Sequence, residues 1–155
     1  EESYFNNLTL NRKFIAKKIF NQKELLHSLN QIVHPAVRND AKIWSEKIPQ
    51  ADGYYLRESA ILFDTGIYKQ LNYNILVTAP KELRIERIKS RDALSVEDIT
   101  LRMNNQWDDE QKLALANFVI VNDGKNLLIP QILKIHKTLK DYSLMPTDKL
   151  PNINL

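Results

Sequence analysis

Tyr54-Tyr-Leu-Arg-Glu-Ser-Ala-Ile-Leu-Phe63 and, shortly after it, Tyr73-Asn-Ile-Leu-Val-Thr78 decide the fold class. Both runs are rich in aromatic and aliphatic residues. Ala60 to Phe63 shows no polar alternation, which is the pattern of a strand covered on both faces. Between the runs, Asp64 to Leu71 holds Gly66 and then a helix-length mix of polar and apolar residues. The two strands are therefore expected to be joined by a crossover and to run parallel. An α/β domain follows, with a parallel sheet flanked by helices.

Upstream, Leu10 to Lys47 reads as helical, because Leu25, Leu29 and Ile32 and then Val37, Ala41, Trp44 and Ile48 recur at helical spacing. Pro35 interrupts the pattern and biases His34 away from helical geometry, so two helices meeting at a corner are expected there. Downstream, Pro80 opens a helix that carries Leu83, Ile85 and Ile88. Ser95 with Asp98 three residues on starts another, with Val96, Ile99 and Met103 inward. Asp108 to Ala116 is expected to be a helix, Phe118 to Val121 a short strand, and Asn122-Asp123-Gly124 the turn that ends it. Leu128, Ile132, Ile135 and Leu139 mark a last amphipathic helix, followed by a loosely held tail with Pro146 and Pro151.

With 155 residues, 43% hydrophobic and 26% charged, the chain is long enough for one packed core and has no signature of general disorder. Its longest apolar runs are strand-sized, so no transmembrane segment and no membrane partner are expected. The absence of Cys excludes disulfides and thiolate metal sites, and the cytoplasm is the expected compartment. The 22 basic against 19 acidic residues, net +3, decide little about partners. The only glycines are Gly53, Gly66 and Gly124, so no GxxxxGK[ST] or GxGxxG phosphate loop is present.

The strongest chemical signal is Arg84, Arg87 and Arg91, which fall on one helix face beside a strand end. Guanidinium forks suit phosphate because they give two parallel charge-assisted hydrogen bonds and keep their charge. The plain alternative is a solvated face interleaved with Glu82, Glu86 and Asp92. Glu58, inside an expected strand, and Asp64, at its carboxyl end, stand where open α/β sheets gather ligands; equally, Glu58 pairs with Arg57 and Asp64 caps a helix. His34 and Arg38, one turn apart, offer an imidazole and a guanidinium to one ligand, or a corner histidine bonded to backbone. Three scattered His with no HExxH give no zinc site, so no protein metal site is expected.

Six segments then agree in order and spacing with one family. They are Leu29-Asn-Gln-Ile-Val-His-Pro-Ala-Val-Arg38, Glu58-Ser-Ala-Ile-Leu-Phe-Asp-Thr-Gly-Ile-Tyr-Lys69, Val77-Thr-Ala-Pro80, Arg87-Ile-Lys-Ser-Arg-Asp92, Arg102-Met-Asn-Asn-Gln106 and Ala116-Asn-Phe-Val-Ile-Val-Asn-Asp-Gly124. Together they resemble dephospho-CoA kinase from about Leu8 to Leu139. The resemblance implies a P-loop kinase fold that moves the γ-phosphoryl group of ATP to the ribose 3′-hydroxyl of dephospho-CoA, the last step of coenzyme A biosynthesis. ATP is then a co-substrate, magnesium is expected with it, and nucleic acid is not a partner. Family members open with a strand, a P-loop and an Asp-Ala-Asp segment that supplies the proposed base. None of these is in the chain, so it is expected to be the carboxyl-terminal majority of a kinase domain, inactive alone.

On that resemblance, 10–50 is a helical substrate-binding region, 54–80 holds core strands, 81–107 lid helices, 108–140 the rest of the core, and 141–155 a flexible tail. Arg87 is the implied catalytic arginine, and Arg87, Arg91, Asn122, Asp123 and Gly124 are implied to bind ATP. His34, Arg38, Glu58 and Asp64 are implied to bind the substrate, with Glu58 near magnesium. At Ser59 and Ala60 many relatives read Val-Pro. The competing expectations are another small-molecule or nucleotide kinase with a different substrate corner, and a noncatalytic helical module that binds nucleic acid. Interleaved acids and the lack of an aromatic stacking platform oppose the last.

Overall fold

The computed structural model describes residues 3–20, 22–48, 53–145 and 151. The chain forms two compact units, Glu1–Gln50 and Ala51–Leu155.

The first unit holds α1 (Arg12–Phe20) packed on α2 (Lys23–Glu46). The break in the helical pattern falls at Gln22, which is extended, and not at Pro35. The corner expected at His34-Pro35 is absent: α2 runs through Pro35 as one helix of 24 residues. A proline inside a helix removes one hydrogen bond and crowds the carbonyl four residues back, at about 3 kcal/mol. With eleven or more residues on each side, α2 has room for helical hydrogen bonding before and after the proline.

In the second unit a 3-10 turn (Ile67–Gln70) precedes β1 (Ile75–Thr78); then come α3 (Lys81–Asp92), α4 (Val96–Asn104), α5 (Asp109–Leu113), β2 (Phe118–Val121) and α6 (Leu128–Ser143). The two strands pair in parallel, with Ile75 opposite Phe118 and Thr78 opposite Val121. α3 to α5 form the crossover that parallel strands require. Side-chain amides fix the register. The Asn74 N–H donates to Asn117 Oδ1 at 2.8 Å, while the Asn74 carbonyl accepts from Asn117 and Phe118. At the far end, Gln131 of α6 accepts from the Val121 N–H at 2.8 Å and donates to the Val121 carbonyl at 3.1 Å, standing in for a neighbouring strand.

The α/β reading and the parallel sheet are borne out, but Tyr54–Phe63 is not a strand. Residues 54–59 are irregular, and Ile61 to Gly66 fold into a turn in which the Thr65 N–H donates to the Ile61 carbonyl. Tyr54–Arg57 and Tyr73–Ile75 line a common cavity of about 320 Å³ with Tyr142 and Met145. Among the described residues the only named strand ladder is that of β1 with β2, so the two segments are not paired strands. β1 is likewise not covered on both faces, since Val77 is 59% exposed in a sheet of two strands. The apolar residues of the turn are used nonetheless: Leu62, Phe63 and Ile67 form the core with Ala116, against Leu76 and Val119.

Ser95 caps α4 as expected, its Oγ accepting from the Asp98 N–H at 3.0 Å. Ile99 is inward at 1% exposed, worth roughly 1.5–3 kcal/mol of burial, whereas Val96 is exposed. α6 buries Ile135 and Leu139 but leaves Ile132 exposed. It runs to Ser143, so the expected tail starts later than residue 141; 146–150 and 152–155 lie outside the described residues, as do 21, 49 and 50 of the helical region. Among the described residues no helix is long and apolar enough to cross a membrane.

Candidate functional site

β1 and β2 end side by side, and the Asn122 N–H extends the ladder by donating to the Thr78 carbonyl at 2.8 Å. This carboxyl edge is where α/β sheets meet ligands. Arg87, exposed on α3, reaches over it and donates from Nη1 to the Asn122 carbonyl at 2.9 Å. Beyond Asn122 the chain turns on Asp123. Its Oδ1 accepts from the N–H groups of Lys125 and Asn126 at 2.9 and 2.8 Å, and its Oδ2 from Asn126 Nδ2 at 2.8 Å. These donors, the Asn126 N–H foremost, hold the carboxyl below its usual value. Gly124 closes the turn at φ +80°, a backbone that a side chain would strain. Arg87, Asn122, Asp123 and Gly124 are thus brought together.

The other two arginines are committed elsewhere. Arg84 forks onto Asp109 at the start of α5, with Nη1 to Oδ1 at 3.1 Å and Nη2 to Oδ2 at 2.6 Å. Asp109 also lies 3.5 Å from Thr78 Oγ1, which pins α5 to the end of β1. Arg91 forks onto its neighbour Asp92 at 2.7 and 2.8 Å, and that hydrogen bonding holds the Asp92 carboxyl low. The face of three cations is therefore a face of one: among the described residues, Arg87 alone of the three has no carboxylate partner.

Asp64 does not cap the helix that follows it. Its Oδ1 accepts from the Trp107 N–H at 2.6 Å, and its Oδ2 is buried without a partner. Glu58 is exposed in irregular chain, outside any strand and without an ion pair to Arg57 among the described residues. His34 and Arg38 belong to the first unit, where they lie half-buried four residues apart on α2.

Sequence reasoning did not single out Trp107 or Lys112, and it marked Gln106 only as the end of a segment shared with the family. Lys112, on α5, is 8% exposed, and its Nζ lies 3.5 Å from Gln106 Oε1. Nothing in residue type marks them; the only pointer is the capping box of Asp108 with Gln111, which fixes the start of α5 and with it this corner. The 320 Å³ cavity contains none of the expected site residues and opens at the amino end of β1, away from Thr78.

A family model described as dephospho-CoA kinase matches residues 2–127. A Bacteroides fragilis protein named dephospho-CoA kinase is 38% identical over 134 residues, covering 86% of this chain and 65% of its own length. A Porphyromonas gingivalis protein of the same name is 35% identical over 148 residues, covering 94% and 72%. A solved Thermus thermophilus structure superimposes with a TM-score of 0.75 at 29% identity over 94% of this chain and 72% of that one. The solved dephospho-CoA kinase from Campylobacter jejuni gives 0.59 at 29% identity over 88% and 70%. The chain thus spans about 65% of the length of the Bacteroides relatives.

Proposed function

Because the chain belongs to the dephospho-CoA kinase family, we propose that it carries the lid and substrate side of an enzyme that transfers the γ-phosphoryl group of ATP to the ribose 3′-hydroxyl of dephospho-CoA. In that step a bond forms between the 3′-oxygen and γ-phosphorus, the bond from γ-phosphorus to the β-bridging oxygen breaks, ADP leaves, and the hydroxyl proton passes to a base.

The observation that carries the reading is Arg87 on the Asn122 carbonyl. It joins the α3 arginine to the turn after β2, so that a cation without a carboxylate partner stands at the sheet's carboxyl edge. A neutral carbonyl is a weak partner for a guanidinium, and phosphoryl oxygens would displace it with a gain. Arg87 would then stabilise charge that spreads over those oxygens in a loose transition state. In this reading Asn122, Asp123 and Gly124 line the adenine, Arg91 helps hold ATP once released from Asp92, and α3 with α4 is the lid. His34, Arg38, Glu58 and Asp64 take the dephospho-CoA side.

Among the described residues no three acidic or histidine side chains stand together as a metal cage. The unpartnered Asp64 Oδ2 does fit a water of a magnesium ion that arrives on ATP, since magnesium keeps most of its waters and few protein ligands. Asp64 would help hold the ion through that water, and the ion would supply positive charge against the phosphates.

The test is ATP consumption dependent on dephospho-CoA, measured for the full-length gene product and for the 155-residue chain. The full-length protein is expected to turn over and the 155-residue chain not to, because the latter has no GxxxxGK[ST] loop. A full-length protein that hydrolyses or transfers nothing with dephospho-CoA removes the reading.

A further inference from the structure

Lys112 is buried to 8% exposure on a helix of five residues, and lysine is seldom so placed unless paired. Its ammonium has one polar contact, Gln106 Oε1 at 3.5 Å, and no ion pair among the described residues. A lysine whose stem is covered and whose ammonium meets no carboxylate among the described residues is placed to receive an anion from outside the chain.

The surroundings say what that is. Gln106, which meets Lys112, is followed by Trp107, whose N–H holds Asp64 Oδ1 at 2.6 Å and leaves Oδ2 buried and unpartnered. A two-residue link therefore ties one uncompensated cation and one open carboxylate oxygen to the same corner. Asp109, three residues before Lys112, fixes that corner to Thr78 at the carboxyl end of β1 through its contacts with Thr78 and Arg84. An anion for Lys112 and a donor, hydroxyl or metal-bound water, for Asp64 would satisfy both.

We propose that Lys112 is a phosphate-binding residue of this site, its ammonium meeting a phosphoryl oxygen of the ligand beside Asp64. Which phosphorylated ligand arrives rests on the kinase reading; that an anion of this class arrives does not. A lysine suits the place because it supplies a compact charge on a flexible stem, which Gln106 holds until the ligand displaces it.

The experiment titrates tripolyphosphate into the full-length gene product by calorimetry, for the parent, Lys112→Met, Lys112→Arg and, as a surface control, Lys89→Met. Lys112→Met is expected to weaken binding at least tenfold, Lys112→Arg to retain part of the affinity, and Lys89→Met to stay within twofold. The ligand-free thermal midpoint of Lys112→Met should equal or exceed the parent's, because a covered lysine without an ion pair has been replaced by an apolar chain of similar length. A structural lysine gives the opposite: a lower midpoint with affinity within twofold of the parent, which overturns the proposal. Should Lys112→Met not fold, lysine-labelled spectra of the parent decide, where the Lys112 ammonium signal must move on adding tripolyphosphate; a stationary signal overturns the proposal. A parent that does not bind tripolyphosphate overturns it too. Binding through Lys112 without turnover of dephospho-CoA keeps this inference and removes the kinase reading. Turnover that persists unchanged in Lys112→Met, with unchanged affinity, does the reverse.

Discussion

The first and second halves of α3 carry the same residue type and differ in what it can do. Arg84 meets Asp109 through both terminal nitrogens, and its charge is neutralised inside the fold. Arg87, one turn later, meets the Asn122 carbonyl and, among the described residues, no carboxylate at the sheet's carboxyl edge. The spacing of three that put both on one face says nothing of this. Partner, not position on the helix, separates a cation that holds the structure from one that can hold a ligand.

The sharpest way to break the comparison is turnover of the full-length protein. Arg87→Ala should lower kcat and kcat/KM by similar factors, on the order of 10³-fold, as for arginines that act on the transferring group. Arg87→Lys should recover part of the loss, since lysine lacks the planar fork. A rise in KM alone would reduce Arg87 to a ground-state contact.

Arg84→Ala should act on stability instead. Its removal strands Asp109, about one-third exposed, and should cost about 1–2 kcal/mol, or some 2–8 °C in thermal midpoint, with kcat changed less than tenfold. Equal kinetic losses for the two variants would erase the distinction between the halves of α3.

The third arginine gives the smallest effect. Arg91 holds the Asp92 carboxyl below 3.8 by hydrogen bonding, so Asp92 contributes stability above its unfolded value and loses it as pH falls through the folded one. In Arg91→Ala, carboxyl-carbon NMR should show Asp92 titrating closer to 3.8. Asp123, held by the N–H groups of Asn126 and Lys125, should titrate as before, below 3.8.

Local signals carried well from sequence to fold. β2, the cap at Ser95 and the glycine turn after Asp123 stand where residue pattern placed them, because each depends on neighbours a few residues away. Tyr54–Phe63 failed for the opposite reason. Its apolar content is real and serves the core through Leu62 and Phe63, but a strand is a property of a pair, and the pairing cannot be read from one run. The site divides the same way: Arg87 and the Asn122–Gly124 turn were legible as residue types, whereas Lys112 and the Trp107 N–H acquire meaning only through contacts that the fold creates.

The proline within α2 has a consequence in time as well as in shape. Pro35 offers no N–H to the Gln31 carbonyl, so the hydrogen-bond ladder of a 24-residue helix is interrupted near its middle. Amide exchange should register that seam: the turns on either side of Pro35 open as separate units, each with its own protection factor, where an uninterrupted helix would fray only from its ends. His34 and Arg38 sit on either side of that seam, so exchange at their amides should report on different turns.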